Sequence, residues 1–363
     1  MKKSINILLL FIVVNLSFNL AFGQDRQGET LEKTGFTFSP GEEDRLHGTG
    51  IEWWYYFGYL RSKGTAEDEY IFVSSFFRNK VGRYMFYTLT DLKKDTVYFY
   101  ALLDKSTKFN SPFLPKGHKY ISKPYKHCEP PRSPLWLCYG NNKLQKEDSL
   151  YHLFFTNKEF TLTIDLKKEG HPMLVMGSGI IGLKRPEDMH YYSYPHMSAK
   201  ALLKLNDQEL ELVGDAWYDH QWGKMVIKSF KWGWWGINLD NDQAINVYFI
   251  KNAVTNRILQ IGLTLLHPDG RTEVFTDLKF TAKRYWKSPD TGRKYPVDWE
   301  IEVPGNGLKL NIKAITDNNE FPVLVFKRIW EGPCKVLAVY ENGETVQGKG
   351  FQELLGKVKK GNK

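Results

Sequence analysis

Two carboxylates set among tryptophans are the residues in this sequence best suited to chemistry. In the stretch 214–223 (GDAWYDHQWG), Asp215 and Asp219 alternate with Trp217 and Gln221, while Tyr218, His220 and Trp222 fall between them. Side chains along an extended strand point alternately to its two faces. Asp215, Trp217, Asp219 and Gln221 therefore share one face, and Tyr218, His220 and Trp222 share the other. A carboxyl placed among rings loses the hydration of its charged form, so the pKa of Asp219 should rise. Once protonated, such a group can deliver a proton to an alkene or a carbonyl, and aromatic faces can stabilise the resulting cation. The competing reading is a buried hydrogen-bonding network that performs no chemistry.

Three other stretches could supply partners. In 52–57 (EWWYYF), Glu52 shares a strand face with Trp54 and Tyr56, and the opposite face carries Trp53, Tyr55 and Phe57. Both faces are apolar, so Glu52 points into an aromatic space, where a carboxylate needs a partner or stays protonated. It is either an assistant to Asp219 or a structural acid bonded to backbone or arginine. The stretch 190–196 (HYYSYPH) offers the imidazoles of His190 and His196 and the hydroxyls of Tyr191 and Tyr192, which could orient water or hold a ligand's polar end. They could equally be interface tyrosines with satisfied hydroxyls. In 232–236 (WGWWG), glycines beside Trp234 and Trp235 let rings and backbone approach closely, at a junction or along a pocket wall.

Several motifs carry less than they suggest. The stretch 177–182 (GSGIIG) fits a dinucleotide-binding spacing, but no amphipathic helix or ribose-binding acid follows it. There is no G-x-S-x-G nucleophile elbow and no HExxH. His190, His196, Asp219 and His220 lack a known ligand spacing, so no metal is expected, and no cofactor either. Of the three cysteines, Cys128 and Cys138 could pair across a hairpin in an oxidising compartment. Cys334 is left over.

The elements that must position these residues are strands. Short alternating runs recur between turn signals at 79–82, 267–270, 304–307 and 342–343, without intervening amphipathic helices. That pattern predicts an all-β chain of barrels or sandwiches. Only 352–360 and a few short stretches read as helical, and 105–134, rich in proline, lysine and histidine, reads as a long excursion. The 363 residues include eleven tryptophans, a composition that favours strands and a roomy, ring-lined interior. The length suits two domains. The N-terminus has Lys2 and Lys3, an apolar run over 5–14, and small residues at Ala21 and Gly23, which together form a secretory signal peptide. No cysteine follows the cleavage point, so a periplasmic or secreted chain without a lipoprotein anchor is expected. The formal net charge of +9 is met partly by a basic tail, read as solvated or in peripheral contact with an anionic membrane surface. Nucleic acid is not an expected partner.

Six co-linear stretches, 52–60, 75–79, 191–193, 214–223, 232–240 and 285–299, with 348–354 closing the series, give the chain a specific likeness. It resembles the carotenoid 1,2-hydratase-like, AttH-type family over about 36–355. The resemblance implies two packed lipocalin-like β-barrel domains with a ligand space at or near their junction. It also implies protonation of an isoprenoid double bond with addition of water, or pericyclic cyclisation by shape and hydrogen bonding. Asp219 matches the position of the family's catalytic aspartate. Two residues earlier the family's hydratases carry tyrosine, where this chain has Trp217. Many relatives have arginine after Tyr-Tyr-Ser, where this chain has Tyr194, Pro195 and His196.

The combined expectation is a signal peptide at 1–23, one lipocalin-like barrel over 36–228, a second over 229–356, and a basic tail over 357–363. Asp219 is the expected acid, assisted by Tyr218, His220 and Glu52. Trp54, Tyr56, Trp217, Trp222, Trp234 and Trp235, with Tyr191, Tyr192, His190 and His196, are expected to contact a hydrophobic small molecule. The chain is then a cofactor-independent hydratase, isomerase or cyclase. Its rival is a non-catalytic periplasmic carrier of lipid or pigment. The sequence leaves the oligomeric state open.

Overall fold

Aromatic and β-branched residues in alternation make long strands wherever the sequence shows them. The computed structural model describes residues 44–47, 50–79, 82–104, 118–121, 135–181, 189–224, 230–323 and 327–355. Among the described residues there is no helix, and so none long and apolar enough to cross a membrane. The first sheet holds β1 (Ile51–Ser62), β2 (Tyr70–Asn79), β3 (Gly82–Asp91), β4 (Thr96–Asp104), β5 (His118–Ile121), β6 (Trp136–Tyr139) and β7 (Asn142–Glu147). It continues with β8 (Leu150–Thr156), β9 (Phe160–Lys168), β10 (Met173–Leu174), β11 (Ile180–Ile181), β12 (Met189–Leu205) and β13 (Gln208–Gly223). The second sheet holds β14 (Phe230–Leu239), β15 (Ala244–Asn252), β16 (Ile258–Leu266), β17 (Thr272–Phe275) and β18 (Lys279–Lys287). It is completed by β19 (Lys294–Val303), β20 (Leu308–Ala314), β21 (Glu320–Val323), β22 (Lys327–Val339) and β23 (Thr345–Leu355).

The first sheet runs β5-β4-β3-β2-β1-β13-β12-β9-β8-β7-β6, and the second runs β17-β16-β15-β14-β23-β22-β20-β19-β18. Each curls into a barrel-like shell, the lipocalin-like architecture expected from the sequence. The chain passes from one sheet to the other between Gly223 and Phe230. Turn chemistry sets the hairpins: Gly270 and Gly343 hold φ of 87° and 86°, a left-handed conformation that favours glycine. The helix expected over 352–360 is not formed where it can be seen, because 352–355 is the end of β23. That strand is paired on both edges, with β14 and with β22, so ladder bonds override local helix preference. Of the excursion at 105–134, only β5 lies within the described residues. Cys138 is disulfide-bonded, Cys334 is free and buried, and Cys128 lies outside the described residues.

Burial falls into three layers. Trp54, Tyr56, Tyr151, Tyr192, Tyr218 and Trp222 fill the inside of the first shell. Trp235, Trp299, Trp330 and their aliphatic neighbours fill the second. Between the two sheets lies a third layer that includes Tyr55, Phe57, Tyr191, Trp217, Trp234 and Phe351. Rings meet there directly: Phe57 stacks on Phe351 with centroids 5.3 Å apart, and Trp217 meets Trp234 edge to face at 6.3 Å. Burying such rings supplies much of the adhesion between the sheets.

Candidate functional site

β13 is the strand from which the site is built. It pairs with β1 on one side and β12 on the other, so its alternation is fixed by two ladders. Trp217, Asp219 and Gln221 face the second sheet, and Tyr218, His220 and Trp222 face the inside of the first shell. Asp215, on the same face as Asp219, lies at the rim, where Arg61 reaches it at 3.2 Å.

Asp219 is 3% exposed and lines a cavity of about 150 Å³ between the sheets. Its Oδ1 accepts from Ser193 Oγ and from Trp217 Nε1, the latter at 2.6 Å. Its Oδ2 accepts from the Tyr191 hydroxyl at 2.8 Å. Burial pushes the carboxyl up to about 7, although all three hydrogen bonds favour the charged form. The Tyr191 hydroxyl in turn accepts from Trp234 Nε1 at 2.8 Å and from Asn246 Nδ2 at 2.9 Å. The second sheet thus holds the tyrosine that holds the acid. Oδ1 has both lone pairs engaged, whereas Oδ2 has one left. A proton on Asp219 therefore sits on Oδ2, on the carboxyl that lines the cavity.

The structure divides the expected site residues among several places. Asp219, Tyr191 and Trp234 line the cavity, and Trp217 lies behind Asp219 as a donor. Trp217, which stands where the resemblance expects tyrosine, still supplies a polar hydrogen to the carboxylate. Glu52, Trp54, Tyr56, Tyr192, Tyr218, His220 and Trp222 all lie inside the first shell, on the other face of the sheet. The set expected to assist Asp219 therefore does not meet it. Trp235 points into the second shell, where its Nε1 donates to Gln352. His190 stacks on Trp222 at 5.0 Å. His196 falls at a bulge in β12 between Tyr194 and Met197, where Pro195 has no N–H for the ladder. Its ring packs by Gly170.

Inside the first shell lies a second polar cluster. Asp44 accepts from Lys146 Nζ at 2.7 Å and from the hydroxyls of Tyr151 at 2.7 Å, Tyr192 at 2.5 Å and Tyr218 at 3.2 Å. Burial works to raise its carboxyl, but Lys168 and Lys146 outweigh it and hold the group at about 2. Glu52 Oε1 accepts from the His47 backbone N–H at 3.0 Å and lies 3.2 Å from His220 Nε2. Burial again opposes ionisation, and the His220 and His47 hydrogen bonds hold this carboxyl at about 2. His47, Glu52 and His220 are the group among the described residues whose ligand atoms lie close enough, within 4.8 Å, to hold a cation. The contacts converge on the single oxygen Oε1, the geometry of a shared hydrogen-bond acceptor.

Sequence reasoning missed the residues that the ladders bring to Asp219 or to the cavity. Ser193 is the register partner of Asp219, and strand parity with Tyr191 could have found it. Tyr55 and Gln221 share the parity of Trp53 and Asp219 and also line the cavity. Glu331 and Glu353 come from β22 and β23 of the second sheet.

The model of the AttH-like family matches residues 32–357. The chain is 26% identical over 141 residues to kievitone hydratase of Fusarium solani subsp. phaseoli, across 38% of this chain and 40% of that protein. It is 22% identical over 159 residues to dehydratase asqC of Emericella nidulans, across 40% of this chain and 44% of that protein. The aligned stretches thus span less than half the length of these two relatives. A crystal structure assigned to AttH, from Nitrosomonas europaea, superposes with a TM-score of 0.74 at 21% identity, covering 90% of this chain and 98% of that one.

Proposed function

The chain belongs to the AttH-like family, and from that premise we propose that it is a hydro-lyase. It adds water to, or removes water from, an apolar small molecule held between its two barrels. The names of its relatives, a hydratase and a dehydratase, support this reaction class. The observation that carries the reading is the free site on Asp219 Oδ2, on a carboxyl that lines the cavity and is poised near neutral pH. In the hydration direction Asp219 gives its proton to an alkene carbon, leaving a carbocation in a cavity lined by the rings of Trp53 and Trp234. Water adds to the cation, and its surplus proton returns to the Asp219 carboxylate. Dehydration is the same path reversed.

Export belongs to the same proposal and rests on the sequence at 1–23. Organic extraction of protein purified from its host, followed by mass spectrometry, identifies the bound molecule. That compound and kievitone are then incubated with the protein in isotopically labelled water. The expected product differs from the substrate by one water and disappears in Asp219→Asn while the circular dichroism spectrum is kept. Undiminished turnover in that variant removes Asp219 from the mechanism. N-terminal sequencing of the same material finds a start near Gln24; an intact Met1 refutes export.

A further inference from the structure

The cavity that holds Asp219 has a second polar corner. Tyr55 on β1 is the direct register partner of Asp219, about 5 Å away across the ladder. Its ring packs edge to face against Trp234, with centroids 5.7 Å apart. From the second sheet come Glu331 and Glu353, register partners on β22 and β23. Glu353 Oε1 accepts from Trp232 Nε1 at 2.6 Å. Glu331 is 2% exposed and its Oε2 has no hydrogen-bond partner; Tyr55 is 6% exposed and its hydroxyl has none either. Both residues line the cavity. Glu52 Oε2 is likewise without a hydrogen bond, but it lies inside the first shell with Arg78 Nη1 at 3.8 Å.

Burial pushes the Tyr55 hydroxyl well above its ordinary value, and Glu331 is the charge that adds most to the rise, ahead of Glu353 and Asp219. The Tyr55 hydroxyl and the Glu331 carboxyl therefore stand near each other, yet no hydrogen bond joins them. Burial, reinforced by Glu353, also pushes the Glu331 carboxyl well above the ordinary carboxylate range, so its neutral form is favoured. A proton on Glu331 Oε2 and the hydroxyl hydrogen of Tyr55 are then two donors buried in one corner, an arrangement that is costly until an acceptor meets them. A carbonyl oxygen has two lone pairs and brings no hydrogen of its own. A ligand hydroxyl would add a further hydrogen to place. An anionic group would meet three acids, with no lysine, arginine or histidine among the described lining residues.

We propose that Tyr55 and Glu331 form a two-donor seat for a carbonyl oxygen, so that the molecule held in the cavity is an apolar ketone or a related carbonyl compound. The inference rests on the reading that a ligand occupies this cavity, and it adds that ligand's class. It does not use the proton of Asp219. The seat lies one strand away from that acid, so it holds the carbonyl end while another carbon of the same molecule faces Asp219.

The test titrates the full chain with acetophenone and with cumene, a hydrocarbon of the same branching, by ligand-observed nuclear magnetic resonance. Tyr55→Phe and Glu331→Leu should each weaken acetophenone at least about fivefold, the scale of a hydrogen bond lost from a buried acceptor, and leave cumene within about twofold. Glu331→Gln keeps a hydrogen to donate and should bind acetophenone as the wild-type chain does. Tyr248→Phe removes another unpartnered hydroxyl from a residue that lines the cavity and should change neither probe. Thermal unfolding of each variant reports that the fold is retained. Equal weakening of both probes means that the variants reshape the cavity, and overturns the proposal. Undiminished acetophenone binding in either Tyr55→Phe or Glu331→Leu overturns it, as does a wild-type chain that does not bind acetophenone. A loss in Glu331→Gln as large as in Glu331→Leu removes the donor role, and a selective loss in Tyr248→Phe moves the seat; each overturns the assignment. Asp219→Asn should keep acetophenone binding, so loss of turnover in that variant bears on the hydro-lyase reading alone.

Discussion

Asp219 should leave a signature in the pH dependence of stability. An aspartate ordinarily titrates near 3.8, and burial moves this one to about 7 in the folded chain. Below the lower value the group is protonated whether the chain is folded or not, and contributes no pH dependence. Between the two values the folded chain keeps a proton that the unfolded chain has released, so stability falls as pH rises. Above about 7 the loss is complete. The gap between 3.8 and about 7 corresponds to about 4 kcal/mol. The measurement is urea denaturation of the wild-type chain and of Asp219→Asn across about pH 4 to 8. Asparagine sets an N–H against the Tyr191 hydroxyl, whose lone pairs are already engaged, so the variant carries a constant penalty of about 1–3 kcal/mol. The diagnostic is therefore the slope. The wild-type advantage should shrink by about 4 kcal/mol across the range, and groups common to both proteins cancel. A difference that stays flat, or that grows with pH, refutes the poised acid.

Ser193→Ala removes one donor from Oδ1, so the Asp219 transition in the same denaturation series should move up by about one to two pH units; an unmoved transition counts against that hydrogen bond. Asp44→Asn leaves the ammonium groups of Lys146 and Lys168 facing a neutral amide inside the first shell, and thermal unfolding should register a loss of about 3–5 kcal/mol. A loss below about 1 kcal/mol would mean that the lysines find other partners. Gly236→Ala would set a methyl 2.8 Å from the Trp234 ring and 3.2 Å from the Trp217 ring. Overpacking should cost about 1–3 kcal/mol and change the near-ultraviolet circular dichroism; an unchanged spectrum and midpoint would show that the rings yield freely.

The strands, their turns and the two faces of β13 were legible because alternation and turn chemistry are local. Parity alone separated Asp219 from His220, and it also separated Trp234 from Trp235, which aromatic content had grouped as one pocket wall. What parity leaves open is what covers each face. The inside of the first shell is filled by its own rings, with Tyr56 stacked on Tyr218 at 4.6 Å, so the residues pointing there pack against one another. The open space lies between the sheets, and its contents depend on long-range pairing. Ser193 reaches Asp219 through the β12–β13 register, and Glu331 meets Glu353 through the β22–β23 register. Alternation gives the face each side chain takes, whereas the meeting itself follows from hairpin register, which the bulge between Tyr194 and Met197 shifts in β12. The expected helix at 352–360 failed because β23 is held between its hairpin partner β22 and the distant strand β14.

The hydrogen bonds around Asp219 also act as a valve. Oδ1 is closed by two donors, and the Tyr191 hydroxyl spends its one hydrogen on Oδ2 while both its lone pairs are filled from the second sheet. Neither route relays a proton onward to bulk water. The exchangeable hydrogen of the acid therefore opens only onto the cavity. In hydration the hydrogen given to the alkene stays on carbon and the one returned comes from the added water, so isotope from the solvent reaches the acid only by way of the cavity.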